Sequence, residues 1–83
     1  MNKKFACPCC GFLTLEEESP GTHEICPVCY WEDDLVQFED PNHWGANGVS
    51  LAEARLNFMR FGASEEKFKL RVQRPPVTTQ ISA

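Results

Sequence analysis

Apolar and polar residues follow two different rhythms along the chain. From Phe5 to Phe38 apolar residues come in short runs broken by Cys, Pro, Gly and acids, too short for helices. Phe12-Leu13-Thr14-Leu15 is one such run and Thr22-His23-Glu24-Ile25 another, with the turn signal Ser19-Pro20-Gly21 between them. They predict two short strands joined in a hairpin, and Leu35-Val36-Gln37-Phe38 predicts a third. From Asp40 to Gly48 the chain is turn chemistry. The rhythm then changes to a helical one. Leu51, Ala54, Phe58 and Phe61 share a face, and Ala52, Leu56 and Met59 widen it, so residues 51–61 are expected as a helix packed by a broad stripe against the strands. Ser50-Leu51-Ala52-Glu53 is a capping box, and Gly62 suits a left-handed stop. Ser64 can cap a second short helix over about 65–70. Arg74-Pro75-Pro76 ends regular structure, and 77–83 reads as a loose tail.

The breaks in the first half carry the chemistry. Cys7-Pro8-Cys9-Cys10-Gly11 and Cys26-Pro27-Val28-Cys29 place two pairs of cysteines fifteen residues apart, C-x2-C-x15-C-x2-C. That spacing is the one expected of a tetrahedral metal site. Each pair reads as a knuckle whose backbone N–H groups point at the first sulfur, with Pro8 restricting φ and Gly11 closing the turn. Knuckle, strand, turn, strand, knuckle is the layout of a zinc ribbon or rubredoxin-like module. The expected fold is therefore α+β: a hairpin ribbon over about 5–40, a loop at 41–49 and a helical part over 50–70. Together they make one metal-binding domain over 1–76.

Composition sharpens this picture. At 42% hydrophobic the chain is too apolar to be disordered as a whole, yet 83 residues struggle to bury a sufficient core. A metal held by four thiolates supplies the missing folding energy. No apolar stretch approaches a membrane span or a secretory signal, so a cytoplasmic location is expected. There, thiols stay reduced, and an odd count of five cysteines argues against a disulfide framework. The formal charge is −4, and four thiolates with one divalent ion bring it to about −6. It is unevenly spread. Residues 1–54 hold two lysines against ten acids, whereas 55–83 hold six basic residues against two acids.

All-thiolate tetrahedral sites take zinc or iron. Zinc on Cys7, Cys10, Cys26 and Cys29 is the expected structural site, and iron in the same cage would make a rubredoxin-type electron carrier. Cys9 is the surplus thiol: a small packed residue, a reactive or redox-sensing thiol, or a substitute ligand for Cys7 or Cys10. His23, three residues before Cys26, either sits exposed or donates to a ligating sulfur. His43 with Asp33 and Asp34 suggests an acid–base cluster only if the fold brings them together, and no nucleophile or phosphate-loop motif appears. A non-catalytic interaction module is expected. Its contact surface would be the acidic aromatic segment Trp31, Glu32, Asp33 and Asp34 with His43, Trp44 and Asn47, facing a basic protein partner such as a toxin that it neutralises. The acids of that surface should stand in water, with the Tyr30–Trp31 pair beside the metal. The acidic half is unsuited to nucleic acid. Lys67, Lys69, Arg71 and Arg74, alternating with apolar residues, leave a nucleic-acid-binding ribbon as a further reading.

The stretches CPCCGFLTL, GTHEICPVCYWEDDLVQ and GAN..SL.EAR.NF..FG, with the late Arg-Pro-Pro, resemble the cysteine-rich CPCC family of small bacterial proteins and domains. The resemblance runs from Cys7 to about Pro76. Trp44 stands where the family pattern leads to a second glycine. The resemblance implies a metal-binding cysteine module in which the WEDD segment, the Gly-Ala-Asn loop and the capped helix form one unit with the ribbon. It implies no particular activity.

Overall fold

Both knuckles are closed by the same pair of backbone hydrogen bonds. A computed structural model describes residues 3–73. In the first knuckle the Gly11 N–H donates to the Cys7 carbonyl (2.8 Å), and the Cys7 N–H to the Phe12 carbonyl (3.0 Å). In the second, the Tyr30 N–H donates to Cys26 (2.7 Å) and the Cys26 N–H to Trp31 (3.0 Å). The closing residue is left-handed in both, with φ of 81° at Gly11 and 71° at Tyr30. For Gly11 this costs nothing. For Tyr30 it is a strained conformation, and its ring packs tilted against Phe68 at 5.0 Å between centroids. The knuckles are thus structural repeats whose sequences share only Cys-Pro-x-Cys.

The first knuckle is the turn of a hairpin. Strand β1 (Phe5–Ala6) pairs antiparallel with β2 (Leu13–Leu15), Phe5 opposite Leu15 and Ala6 opposite Leu13, with a register shift between. The expected partner of β2, Thr22–Ile25, forms no strand with it. These residues instead bond forward across the second knuckle: His23 N–H to the Asp33 carbonyl, Asp33 N–H to that of Glu24, and an isolated bridge from Ile25 to Glu32. His23 has φ of 63°, which breaks the extended run. The link between the hairpins passes through a side chain, the Glu24 carboxylate accepting from the N–H groups of Glu16 and Glu17 at 2.9 Å each.

The third expected strand is a helix, α1 (Leu35–Glu39). Asp34 caps it, accepting from the Gln37 N–H at 3.0 Å, and Gln37 is the one residue of the helix that is buried. A cap and an inward amide decide the local structure against an apolar run that reads equally well as a strand. The main helix, α2 (Leu51–Phe61), appears where the pattern places it, with Ser50 accepting from the Glu53 N–H (3.1 Å) and Gly62 left-handed at the stop. It packs on the ribbon through Leu51 and Ala54, with Phe58 edge-on to Phe12 at 6.2 Å. The buried stripe is narrower than expected: Leu56 and Met59 are exposed, Met59 by 82%. Ala52 lies between the two classes. So small a ribbon covers only one side of the helix.

The second helix shrinks to a single 3-10 turn, Glu66–Phe68. Ser64 does not cap it. Its hydroxyl is buried without a hydrogen-bond partner, while its N–H donates to the Cys29 carbonyl at 2.7 Å. Further on, the Gln73 N–H reaches the Pro27 carbonyl at 2.9 Å, so the segment after α2 returns to cover the second knuckle. The Arg-Pro-Pro stop and the 77–83 tail lie outside the described residues. The core that results is centred on sulfur: all five cysteines pack with Leu15, Val28, Trp31, Leu51 and Ala54. Among the described residues no helix is long and apolar enough to cross a membrane.

Candidate metal centre

Cys7 and Cys29 approach to 3.6 Å between sulfurs, and Cys10 and Cys26 to 3.7 Å. Both contacts run from one knuckle to the other, and the four sulfurs all lie within 4.8 Å of one another. Tetrahedral coordination at about 2.3 Å per bond puts thiolates about 3.8 Å apart. The spacing suits a shared ion and is far too long for a disulfide. The donor set is sulfur only, which fits a soft or borderline thiophilic metal such as zinc or iron and not a hard cation. These four side chains would hold it, closing its coordination without an open position.

The thiols oppose one another electrostatically. Cys10 and Cys26 push Cys7 up, and Cys26 and Cys29 push Cys10 up. At Cys29 the hydrogen bond from Cys10 works downward, but Cys26, Cys7 and Cys9 outweigh it and the thiol is raised. Cys26 alone is driven down, by hydrogen bonds from Cys10, Cys29 and Cys7. Burial and mutual repulsion thus oppose charge on several of the four sulfurs at once. Four thiolates require a cation in their midst.

Outer partners favour Cys26 as the resident charge. The Thr14 hydroxyl lies 3.0 Å from its sulfur and the Val28 N–H donates to it at 3.4 Å. The knuckle N–H contact is the kind expected from the spacing. Thr14 was not legible as a participant; its one signal is a lone hydroxyl inside an apolar strand, on the register that faces the second knuckle. Cys9 stands outside the four-sulfur group, 8% exposed and packed in the core. His23 does not serve a sulfur either. It is exposed, with Nδ1 at 3.6 Å from the Glu32 carboxylate.

The surface expected around Trp31 divides in two. Trp31 is 1% exposed and packs among the cysteines, because a core this small needs its one large ring. Asp33 is also buried, one oxygen accepting from the Thr22 N–H (3.0 Å) and hydroxyl (2.8 Å) and the other without a partner. The acids expected to stay in water therefore do not all do so. Asn47 turns inward as well, clamping the Glu32 backbone from both sides: its Oδ1 accepts from the N–H at 2.8 Å and its Nδ2 donates to the carbonyl at 2.9 Å. Asp34 caps α1 and accepts from the Ala46 N–H at 3.0 Å. Burial opposes its charge, yet the N–H groups of Gln37, Ala46 and Val36 hold its carboxyl below the ordinary 3.8. His43 stacks on Trp44, which is 79% exposed. His43, Asp33 and Asp34 thus face three different neighbours and form no acid–base cluster.

Gln37 organises this region and was not foreseen. Its Nε2 donates to the carbonyls of His43 (3.0 Å) and Val49 (2.9 Å), and its Oε1 accepts from the N–H (3.2 Å) and Nδ2 (2.9 Å) of Asn47. One buried amide thus fixes the loop that clamps the strand leaving the second knuckle. Gly45 allows it: a Cβ there would fall 2.6 Å from the Gln37 Cγ. In the basic stretch, Lys67 pairs with Glu65 (3.6 Å) and Lys69 with Glu66 (3.7 Å), so part of its charge is spent internally.

Compared with known protein families, residues 5–79 match the model described as Cysteine-rich CPCC. A search of curated proteins finds no match.

Proposed function

The chain belongs to the cysteine-rich CPCC family, and from that premise we propose that it is a zinc-held, non-catalytic interaction module of the cytoplasm. The observation that carries the reading is the convergence of Cys7, Cys10, Cys26 and Cys29 within 4.8 Å, at spacings suited to tetrahedral thiolates. Zinc is preferred over iron because the chain uses the site as the middle of its core, a role that asks for a closed site without redox change. A reducing compartment keeps five free thiols available for it.

The contact surface lies on the outer face of α1, one layer out from where the acidic aromatic segment suggested. Leu35, Val36 and Phe38 are exposed there, and Trp44 is exposed on the loop that Gln37 ties down. Glu39 and Asp40 border it, and residues 5–54 contain no lysine or arginine at all. Apolar anchors within uncompensated acid suit a basic protein partner, for which charge sets approach and the aromatic anchor sets affinity.

Metal analysis with a visible spectrum on anaerobically purified protein tests the first part. One colourless zinc per chain with one free thiol supports it. One iron that bleaches reversibly on reduction would make the protein an electron carrier instead.

A further inference from the structure

The metal centre is more deeply covered on one side than on the other. Cys26 and Cys29 are 0% exposed, their knuckle roofed by the returning segment through Ser64 and Gln73. Among the described residues the first knuckle has no such roof. Cys7, Cys9 and Cys10 line a groove of about 420 Å³ together with Ser19, Phe38 and Arg55, and Cys10 is the most exposed of the four clustered cysteines, at 7%. Arg55 reaches over from α2, its Nε donating to the Pro8 carbonyl at 3.0 Å. The groove therefore holds a fifth thiol next to the four, beneath a fixed positive charge.

We propose that metal enters and leaves the centre through this groove, with Cys9 as the transfer thiol and Arg55 guiding an anionic donor or acceptor to it. The inference rests on the four-cysteine site binding metal. Four buried thiolates hold zinc firmly, and direct dissociation would leave a charged, uncompensated cluster behind. A neighbouring thiol lowers that barrier. In the exchange one of the four cluster sulfurs would release the metal as Cys9 binds it, and the proton leaving Cys9 would end on the released sulfur. The metal is then held at the groove, where a carboxylate or thiolate ligand drawn by Arg55 takes it. Loading runs the same steps in reverse. Because Cys9 belongs to the path and not to the resting site, it changes rates and leaves affinity alone.

The test is stopped-flow zinc transfer with the full chain, loading from zinc nitrilotriacetate and withdrawing with EDTA. A neutral pyridyl chelator, TPEN, serves in parallel. Cys9→Ser is expected to slow loading and withdrawal together by about tenfold, the scale of outer-shell effects at zinc sites, with the equilibrium affinity unchanged. Cys9→Ala repeats the test should the serine hydroxyl disturb packing. Arg55→Gln is expected to slow transfer to EDTA and leave transfer to TPEN as it was. Wild-type rates in both Cys9 variants would overturn the proposal while leaving the metal site standing. A rate change matched by a change in affinity would overturn it too, by making Cys9 a structural residue. A wild-type chain that takes up no zinc would remove the metal site as well.

Discussion

Replacing Gln37 by Met isolates what a single buried amide does for this fold. Met has nearly the same volume and an unbranched chain, so it leaves little cavity. It removes a hydrogen bond from each of four groups, the carbonyls of His43 and Val49 and the N–H and Nδ2 of Asn47, of which Nδ2 keeps its bond to the Glu32 carbonyl. Each buried polar group left unpaired costs about 1–3 kcal/mol. The loop is half-exposed, so water recovers part of this, and we expect a loss of about 3–5 kcal/mol. That is a large share of the roughly 5–15 kcal/mol that keeps a domain folded. The assay is guanidinium unfolding of metal-loaded protein at a buffered free-metal concentration, so that linkage to the ion is the same for both chains. A Trp44→Phe background leaves buried Trp31 as the sole tryptophan reporter of the core. With a slope of about 2 kcal/mol per M for so small a chain, the midpoint should fall by about 1.5–2.5 M. A fall of less than about 0.5 M, with equal metal content, would refute the reasoning: water would have replaced the amide, and Gln37 would not be what holds the loop.

Other outcomes follow from the same contacts. Cys26→Ser should abolish both metal uptake and cooperative unfolding, since the binding energy at stake is about 10–16 kcal/mol; full metal content in that variant would overturn the four-thiolate site. Gly45→Ala should cost about 1–3 kcal/mol through overpacking against Gln37, whereas Gly62→Ala, with open space around it, should cost only the roughly 1 kcal/mol of a left-handed alanine; thermal unfolding of the two variants separates clash from strain. Asp34→Ala should cost about 1 kcal/mol as a lost cap. Because the folded carboxyl sits below the ordinary 3.8, this contribution is fully present above that pH and is lost only as the pH falls through the folded value. The stability difference between the two chains, read by denaturant titration, should therefore stay flat from pH 5 to 8.

What could be read in advance was what is local. The cysteine spacing, both knuckles, α2 and its two caps depend on residues a few positions apart, and each appeared where the sequence placed it. Misreadings arose where long-range contacts decide. Leu35–Phe38 has the composition of a strand, and only the cap at Asp34 and the loop that needs Gln37 make it a helix. Thr22–Ile25 has the composition of a returning strand, but its N–H and carbonyl groups are claimed by Asp33 beyond the second knuckle. Trp31 is read two ways, as a ring beside the metal and as a surface anchor among three acids; its burial among the cysteines bears out the first and overturns the second. The apolar face of α2 is read correctly in direction and too generously in width, because periodicity measures what a helix offers and not how much its partner can cover. The inward roles of Asn47 and Thr14 leave no trace beyond their polarity.

The two late hydrogen bonds to the second knuckle, from Ser64 to Cys29 and from Gln73 to Pro27, have a consequence for how the molecule is born. All four clustered cysteines precede residue 30, so a growing chain presents a complete thiol set while α2 and the segment beyond it are still being made. The carbonyls of Pro27 and Cys29 stay in water until that segment arrives. A metal bound by these cysteines would then be the nucleus on which the later residues condense, with folding spreading from the knuckles to the segment that covers them.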